Sequence, residues 1–237
     1  MLALAVSTAY FMFFWPRQGA VAAMTRPQRF GGDTVVIDAG HGGEDGGAVS
    51  AAGNVESGVN LAVAKRLDAI LGLYGVDTRM LRTEDVSLHD PSAVTMREKK
   101  VSDLHNRVAV VEATPNATLI SIHQNTYDGG SKYHGAQVFY ANGELSLPLA
   151  QHTQETLRLA LDPENGRQAA KIPDSVYLMN HITCRAILVE CGFLSNPAED
   201  ALLQTDSYQT KIAAAIAGAY LSFTEETNLE GDLPDEG

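Results

Sequence analysis

Three short apolar runs, each ending in an ionisable residue, constrain this chain most: residues 34–38 (TVVID), 118–123 (TLISIH) and 186–190 (AILVE). Their length and β-branched content mark them as strands. The last is apolar almost throughout, which suits a central strand covered on both faces. Segments of helical period separate them. In 56–73, Val59, Val63, Leu67 and Ile70 share one face. In 96–113 the apolar stripe is Val101, Leu104, Val108 and Val111. Residues 147–161 form a third helix, and 206–223 a last one with Ile212, Ile216, Ala219 and Tyr220 inward. Residues 76–81, 135–140 and 175–179 read as further strands, the second of them an edge strand, and a short helix opens at Asn196. Strands alternating with long helices predict one α/β domain, a mixed and mostly parallel sheet of about six strands flanked by helices.

A chain of 237 residues, 45% of them hydrophobic, can build one good core. Its formal charge of -12 disfavours nucleic acid and anionic lipid as partners. Two cysteines, Cys184 and Cys191, are too few for a multi-cysteine metal site or a disulfide scaffold. Residues 2–15 are nearly all apolar but short of the roughly 17 residues that cross a bilayer. With Ala20-Val21-Ala22 as a small-x-small cleavage site, they read as an export signal or a membrane anchor, the alternative being a short buried helix. The expected organisation is a signal or anchor plus linker over 1–32, a folded domain over 33–223, and an acidic disordered tail over 224–237.

The chemistry sits where the strands end. Asp38-Ala39-Gly40-His41-Gly42-Gly43 carries a histidine out of a strand into a glycine-rich loop, and strand ends are where α/β folds place function. The loop has neither the spacing of a dinucleotide fingerprint nor the Lys-Ser/Thr pair of a phosphate-binding loop. Glu56 opens the first long helix, where a carboxylate also serves as a helix-dipole partner. His123 and Glu190 close their strands, so Asp38, His123 and Glu190 could converge on one crevice of a mainly parallel sheet. Two histidines and a carboxylate are a catalytic zinc set, and a second carboxylate beside it can act as general base and proton donor. Each residue has a plain alternative: a surface histidine at 41, a dipole partner at 56, a core histidine at 123.

The motifs DAGHGGEDGGA (38–48), ESGVNLAVAKRL (56–67), TRMLRTED (78–85), NRVAVVEA (106–113), LISIHQN (119–125), GAQVFY (135–140) and ILVECGFLSNPAE (187–199) come in one order. In them the chain resembles the zinc-dependent N-acetylmuramoyl-L-alanine amidases of bacterial cell-wall turnover. The resemblance implies His41, Glu56 and His123 as zinc ligands and Glu190 as the catalytic glutamate. It implies cleavage of the amide between the lactyl group of N-acetylmuramic acid and L-alanine in peptidoglycan. The bare domain behind an apolar N-terminus looks most like the sporulation branch, which works on spore cortex. Expected location is then extracytoplasmic, in the cell wall or the forespore intermembrane space, with membrane contact only through the N-terminal segment.

Other roles stay open at this stage. Asp38 either orients His41 or caps its strand. Gln124 either contacts substrate or packs. Asn125 either bonds substrate or holds the strand-exit turn, and Arg79 and Arg82 either meet a peptide carboxylate or serve the surface. Segments 84–100 and 126–134 are candidate rims, and access to the site could need an activating protein partner. The competing activity is a zinc carboxypeptidase acting on peptidoglycan stem peptides.

Overall fold

The computed structural model describes residues 32–231. The apolar N-terminal run and the last six residues lie outside the described residues. Six strands form one sheet in the order β2-β1-β3-β6-β4-β5. They are β1 (Thr34–Ala39), β2 (Asp77–Met80), β3 (Ala117–Asn125), β4 (Gln137–Tyr140), β5 (Ala170–Lys171) and β6 (Arg185–Phe193). β1, β2, β3 and β6 run parallel; β4 pairs antiparallel with β6, and the two-residue β5 runs parallel to β4. The helices are α1 (Glu56–Leu73), α2 (Met96–Glu112), α3 (Gly143–Leu161), α4 (Tyr177–Asn180), α5 (Pro197–Leu203) and α6 (Asp206–Gly231). The expected mixed, mostly parallel α/β architecture is the one observed.

Period-two alternation splits the central strands between two cores. Val35, Ile37, Ile120, Ile122, Ile187 and Val189 face α1, α3 and α6, and pack with Val63, Leu67, Leu149, Leu157, Ile212 and Ile216. Val36, Leu119, Ala186 and Leu188 face the other way, against Val111, Leu178, Met179 and Ile182. The second core is thinner because α2 buries charge rather than a full apolar stripe. Its buried positions are Asp103, Arg107 and Val111, while Val101, expected inside, is 47% exposed. A capping box between Thr95 and Glu98 starts this helix.

Three sequence expectations change. Residues 177–180 form a helical turn, not a strand: Leu178 and Met179 are adjacent yet both buried in the same core, which strand alternation forbids. Asn180 Nδ2 fastens the turn through the carbonyls of Pro173 and Val176. The segment around β4 is not the outermost strand, since β5 pairs beyond it. The expected disordered tail from Thr224 begins instead as helix, with α6 running to Gly231. Thr224 is buried against Tyr220, and Thr227 Oγ1 donates to the Phe223 carbonyl, so packing of the preceding turn carries the helix onward. No helix among the described residues is long and apolar enough to cross a membrane.

The two buried charges of α2 connect its helix to the sheet. Arg107 Nη1 donates to Asp38 Oδ1 and to the Ala39 carbonyl (3.1 Å); Nη2 donates to the His41 carbonyl (2.8 Å), and Nε to Asp103 (2.7 Å). Ser121 Oγ donates to the other Asp38 oxygen at 2.6 Å. Burial opposes the Asp38 charge, but Arg107, His123 and the Ser121 hydroxyl together outweigh it and hold the carboxyl below its ordinary value. The stability it contributes is therefore present above the unfolded value of 3.8 and lost as pH falls through the lower folded value. Asp38→Asn, by leaving the Arg107 charge unpaired, is expected to cost about 3–5 kcal/mol in urea unfolding. A loss below about 1 kcal/mol would place the pair among ordinary surface salt bridges.

Candidate metal centre and active-site cleft

The parallel strands deliver their C-terminal ends to one edge of the sheet, and the ionisable residues meet there. β1 ends in the loop carrying His41, whose φ of 62° lies in the left-handed region. A non-glycine residue there costs roughly 1–2 kcal/mol, and the Arg107 bond to the His41 carbonyl holds the strained unit in place. A β-carbon on Gly40 would lie 2.2 Å from His123 Nε2, so only glycine lets β1 pass that close to the ring.

Glu56 enters from the first turn of α1. Loop carbonyls of Ala48 and Gly46 accept the amides of Glu56 and Ser57, satisfying the start of the helix where no side chain caps it. Its carboxylate accepts the amides of Ala48 (2.8 Å) and Gln124 (3.1 Å), and the Asn60 side chain (3.2 Å). Both imidazoles converge on it. His123 Nδ1 lies 3.0 Å from Oε1, and His41 Nε2 lies 3.4 Å from Oε2. One ligand atom from each of the three falls within 4.8 Å of the others. Burial opposes the Glu56 charge, yet the two imidazoles outweigh it and hold the carboxyl far below the usual range.

This donor set fits a divalent ion. Nδ1 of His41 lies 3.1 Å from Asp45 Oδ2, which accepts the Nδ1–H hydrogen bond and leaves Nε2 to present its lone pair. Glu190 supplies a second fit. In register, Glu190 pairs with His123 across β3 and β6, and its Oε2 is buried with no hydrogen-bond partner among the described residues. Burial pushes this carboxyl up to about 7, helped by the Glu56 charge and opposed by the two histidines. Beside the cluster opens a cleft of about 210 Å³ with an apolar wall of Leu104, Val176, Leu178, Met179 and Leu188.

The other predicted residues divide. Asn125 lies on the His123 face at the exit of β3, its side chain without a hydrogen bond among the described residues and its carbonyl holding the Leu194 amide. Gln124 is buried and donates to Asn60 Oδ1, so it packs rather than meets substrate. Asp38 does not orient His41: it faces Arg107 and Ser121, because that side of β1 looks into α2. Arg82 is buried and donates to the carbonyls of Ala39, Gly40 and Ser57, bracing the His41 loop, while Arg79 meets Thr114. Sequence reasoning passed over Asp45 and Arg107. The first was signalled by an acid four residues after His41 in a glycine loop. The second was signalled by Asp103 and Arg107 recurring in helical phase with Val111.

An α/β sheet carrying a His–Glu–His cluster and a buried carboxylate at its strand ends is the arrangement of a hydrolase suited to metal-assisted chemistry. A family model described as N-acetylmuramoyl-L-alanine amidase matches residues 35–221, and the chain belongs to that family. The protein is thus an amidase that hydrolyses the bond between N-acetylmuramic acid and L-alanine in peptidoglycan, a polymer outside the cytoplasm. A germination-specific N-acetylmuramoyl-L-alanine amidase of Bacillus subtilis is 36% identical over 208 residues, 86% of this chain and 84% of that protein. The amidase AmiA of Salmonella typhimurium is 28% identical, over 80% of this chain and 75% of that one. Among solved structures, the CwlD amidase of Clostridioides difficile, in complex with the GerS lipoprotein, superposes with a TM-score of 0.78 at 34% identity. That match covers 82% of this chain and 99% of that one.

Because Asp45 sets the tautomer of His41, Asp45→Asn is expected to weaken divalent-ion binding about 10- to 100-fold while leaving the fold intact. Competition against a chelating dye measures this, and unchanged affinity would remove Asp45 from that role.

Proposed function

We propose that this amidase is zinc-dependent, that His41, Glu56 and His123 are its ligands, and that Glu190 moves the proton. The observation that carries this reading is the unpartnered, buried oxygen of Glu190 paired across the sheet from His123. Zinc held by the three side chains would supply Lewis-acid polarisation of the scissile carbonyl and a lowered pKa for the attacking water. Glu190 takes the proton of that water and returns one to the leaving alanine nitrogen. A carboxyl raised to about 7 suits both halves of the transfer near neutral pH. Asp45 fixes the His41 ring, and Arg107 and Arg82 fix the backbone that carries it. The apolar wall of the cleft stands opposite the two histidines, His41 and His123, that line it.

The proposed setting is spore-cortex peptidoglycan, with residues 33–223 as the catalytic unit behind an export or anchor segment. Likeness to the germination-specific enzyme and to CwlD supports it. A protein partner is proposed on the same footing, since CwlD forms a complex with a lipoprotein. Location in the forespore envelope follows from this setting.

Glu190→Gln is expected to keep full zinc by metal analysis and to lose activity about 10²- to 10⁴-fold. Retained turnover would dismiss Glu190 as the proton carrier. Digestion of vegetative and cortex peptidoglycan by the zinc-loaded protein, read by mass spectrometry, should release stem peptides with a free L-alanine amine. Stem peptides shortened at their carboxyl end would favour the carboxypeptidase alternative instead.

A further inference from the structure

Arg167 stands beside the active site with its charge unanswered. Its Nη1 donates to Gln137 Oε1 (3.1 Å) and its Nε to the His134 carbonyl (3.3 Å). The guanidinium lies 4.7 Å from the ring centre of Phe193 and 5.9 Å from that of Tyr133. Among the described residues Nη2 makes no hydrogen bond and no carboxylate oxygen lies within 4.0 Å of this side chain. Glu164 lines the same groove without pairing to it. Arg66, Arg107 and Arg158, by contrast, each hold an acid.

The fold aims this cation at the site. Gln137 pairs directly with Glu190 across β4 and β6, so their side chains share a face. A register shift in β6 after Glu190 sets Phe193 opposite Asn125, which returns Phe193 to the face of His123 and Glu190. A guanidinium bonded to Gln137 and stacked on Phe193 therefore stands one strand spacing and one hydrogen bond from Glu190, roughly 8 Å. Stacking and two hydrogen bonds fix the plane of the fork, leaving an edge for one more planar acceptor.

We propose that Arg167 is a specificity-determining residue that binds a carboxylate of the stem peptide, that of the second residue past the scissile amide. The inference rests on the amidase reading above. At about 3.5 Å per residue, that carboxylate lies roughly 7 Å from the cleaved bond, matching the reach of the guanidinium. Arg79 and Arg82, the arginines the sequence offered for this task, are engaged at Thr114 and on backbone carbonyls. Arg167 takes the task because it is preorganised and free of an internal acid.

The test uses the full chain loaded with zinc and two muramoyl tetrapeptides whose second residue is a glutamate linked onward through its side-chain carboxyl, and which differ only in whether its α-carboxyl is free or amidated. Wild-type kcat/KM should favour the free acid about 10- to 100-fold, the range of a charge-assisted bidentate contact. Arg167→Gln should erase that preference by slowing the free acid alone, and Arg167→Lys should restore part of it. Equal loss on both substrates would mean a purely structural role and overturn the proposal, as would wild-type indifference to amidation. Calorimetry with the two released peptides reads the contact without turnover, and the same preference, lost in Arg167→Gln, is expected there. If wild type cleaves neither substrate, the amidase reading fails for the chain without its proposed partner. The proposal is then decided by calorimetry, where equal binding of both peptides would end it.

Discussion

The buried contact between Asp38 and Arg107 is the constraint on which the rest of the site depends. It joins a strand end of the sheet to the helix that crosses it, in a place where neither charge meets water. Such a pair contributes little net stability against well-packed apolar residues, but losing either member leaves a buried charge uncompensated. What the pair secures is position. The same guanidinium holds the carbonyls of Ala39 and His41, so the strained backbone at His41 is pinned by the helix on the far side of the cleft. Asp103 extends the network outward by accepting Ser87 Oγ and the Leu88 amide, tying the rim segment to the same helix.

Around this frame, Glu56 and His41 are held by groups outside the cluster. Glu56 accepts two backbone amides from different parts of the chain, and His41 is oriented by Asp45. The carboxylate and the first imidazole are thus preorganised by hydrogen bonds that cost nothing further when a ligand arrives. Glu190 is the exception: its Oε2 is buried with no hydrogen-bond partner among the described residues, and that imbalance is what supports the proton-carrying role proposed for it.

The thinness of the second core is the counterpart of this arrangement. Where α2 faces the site it buries Asp103 and Arg107 in place of aliphatic side chains, and the short α4 turn closes the gap with Leu178 and Met179. The cleft lies between those two helices. An apolar stripe on α2 would have packed more tightly and left no room for it. The helix reads as amphipathic, but its buried positions are set by what the strand ends require, which is why Val101 lies outside.

The sequence by itself determined the strand order in time, the helices between, and the residues that close each strand, because period and composition record which face a residue buries. His41, Glu56, His123 and Glu190 were legible for that reason and through the motifs around them. Tertiary structure alone decided how they relate. The register that sets Glu190 opposite His123, and the shift that brings Phe193 and Arg167 alongside, belong to pairings between distant strands that no local pattern encodes. It also reassigned the supporting polar residues. Asp38 serves Arg107 rather than His41, Gln124 packs, and residues 177–180 turn as helix, because hydrogen-bond partners of buried polar groups depend on which element lies across from them.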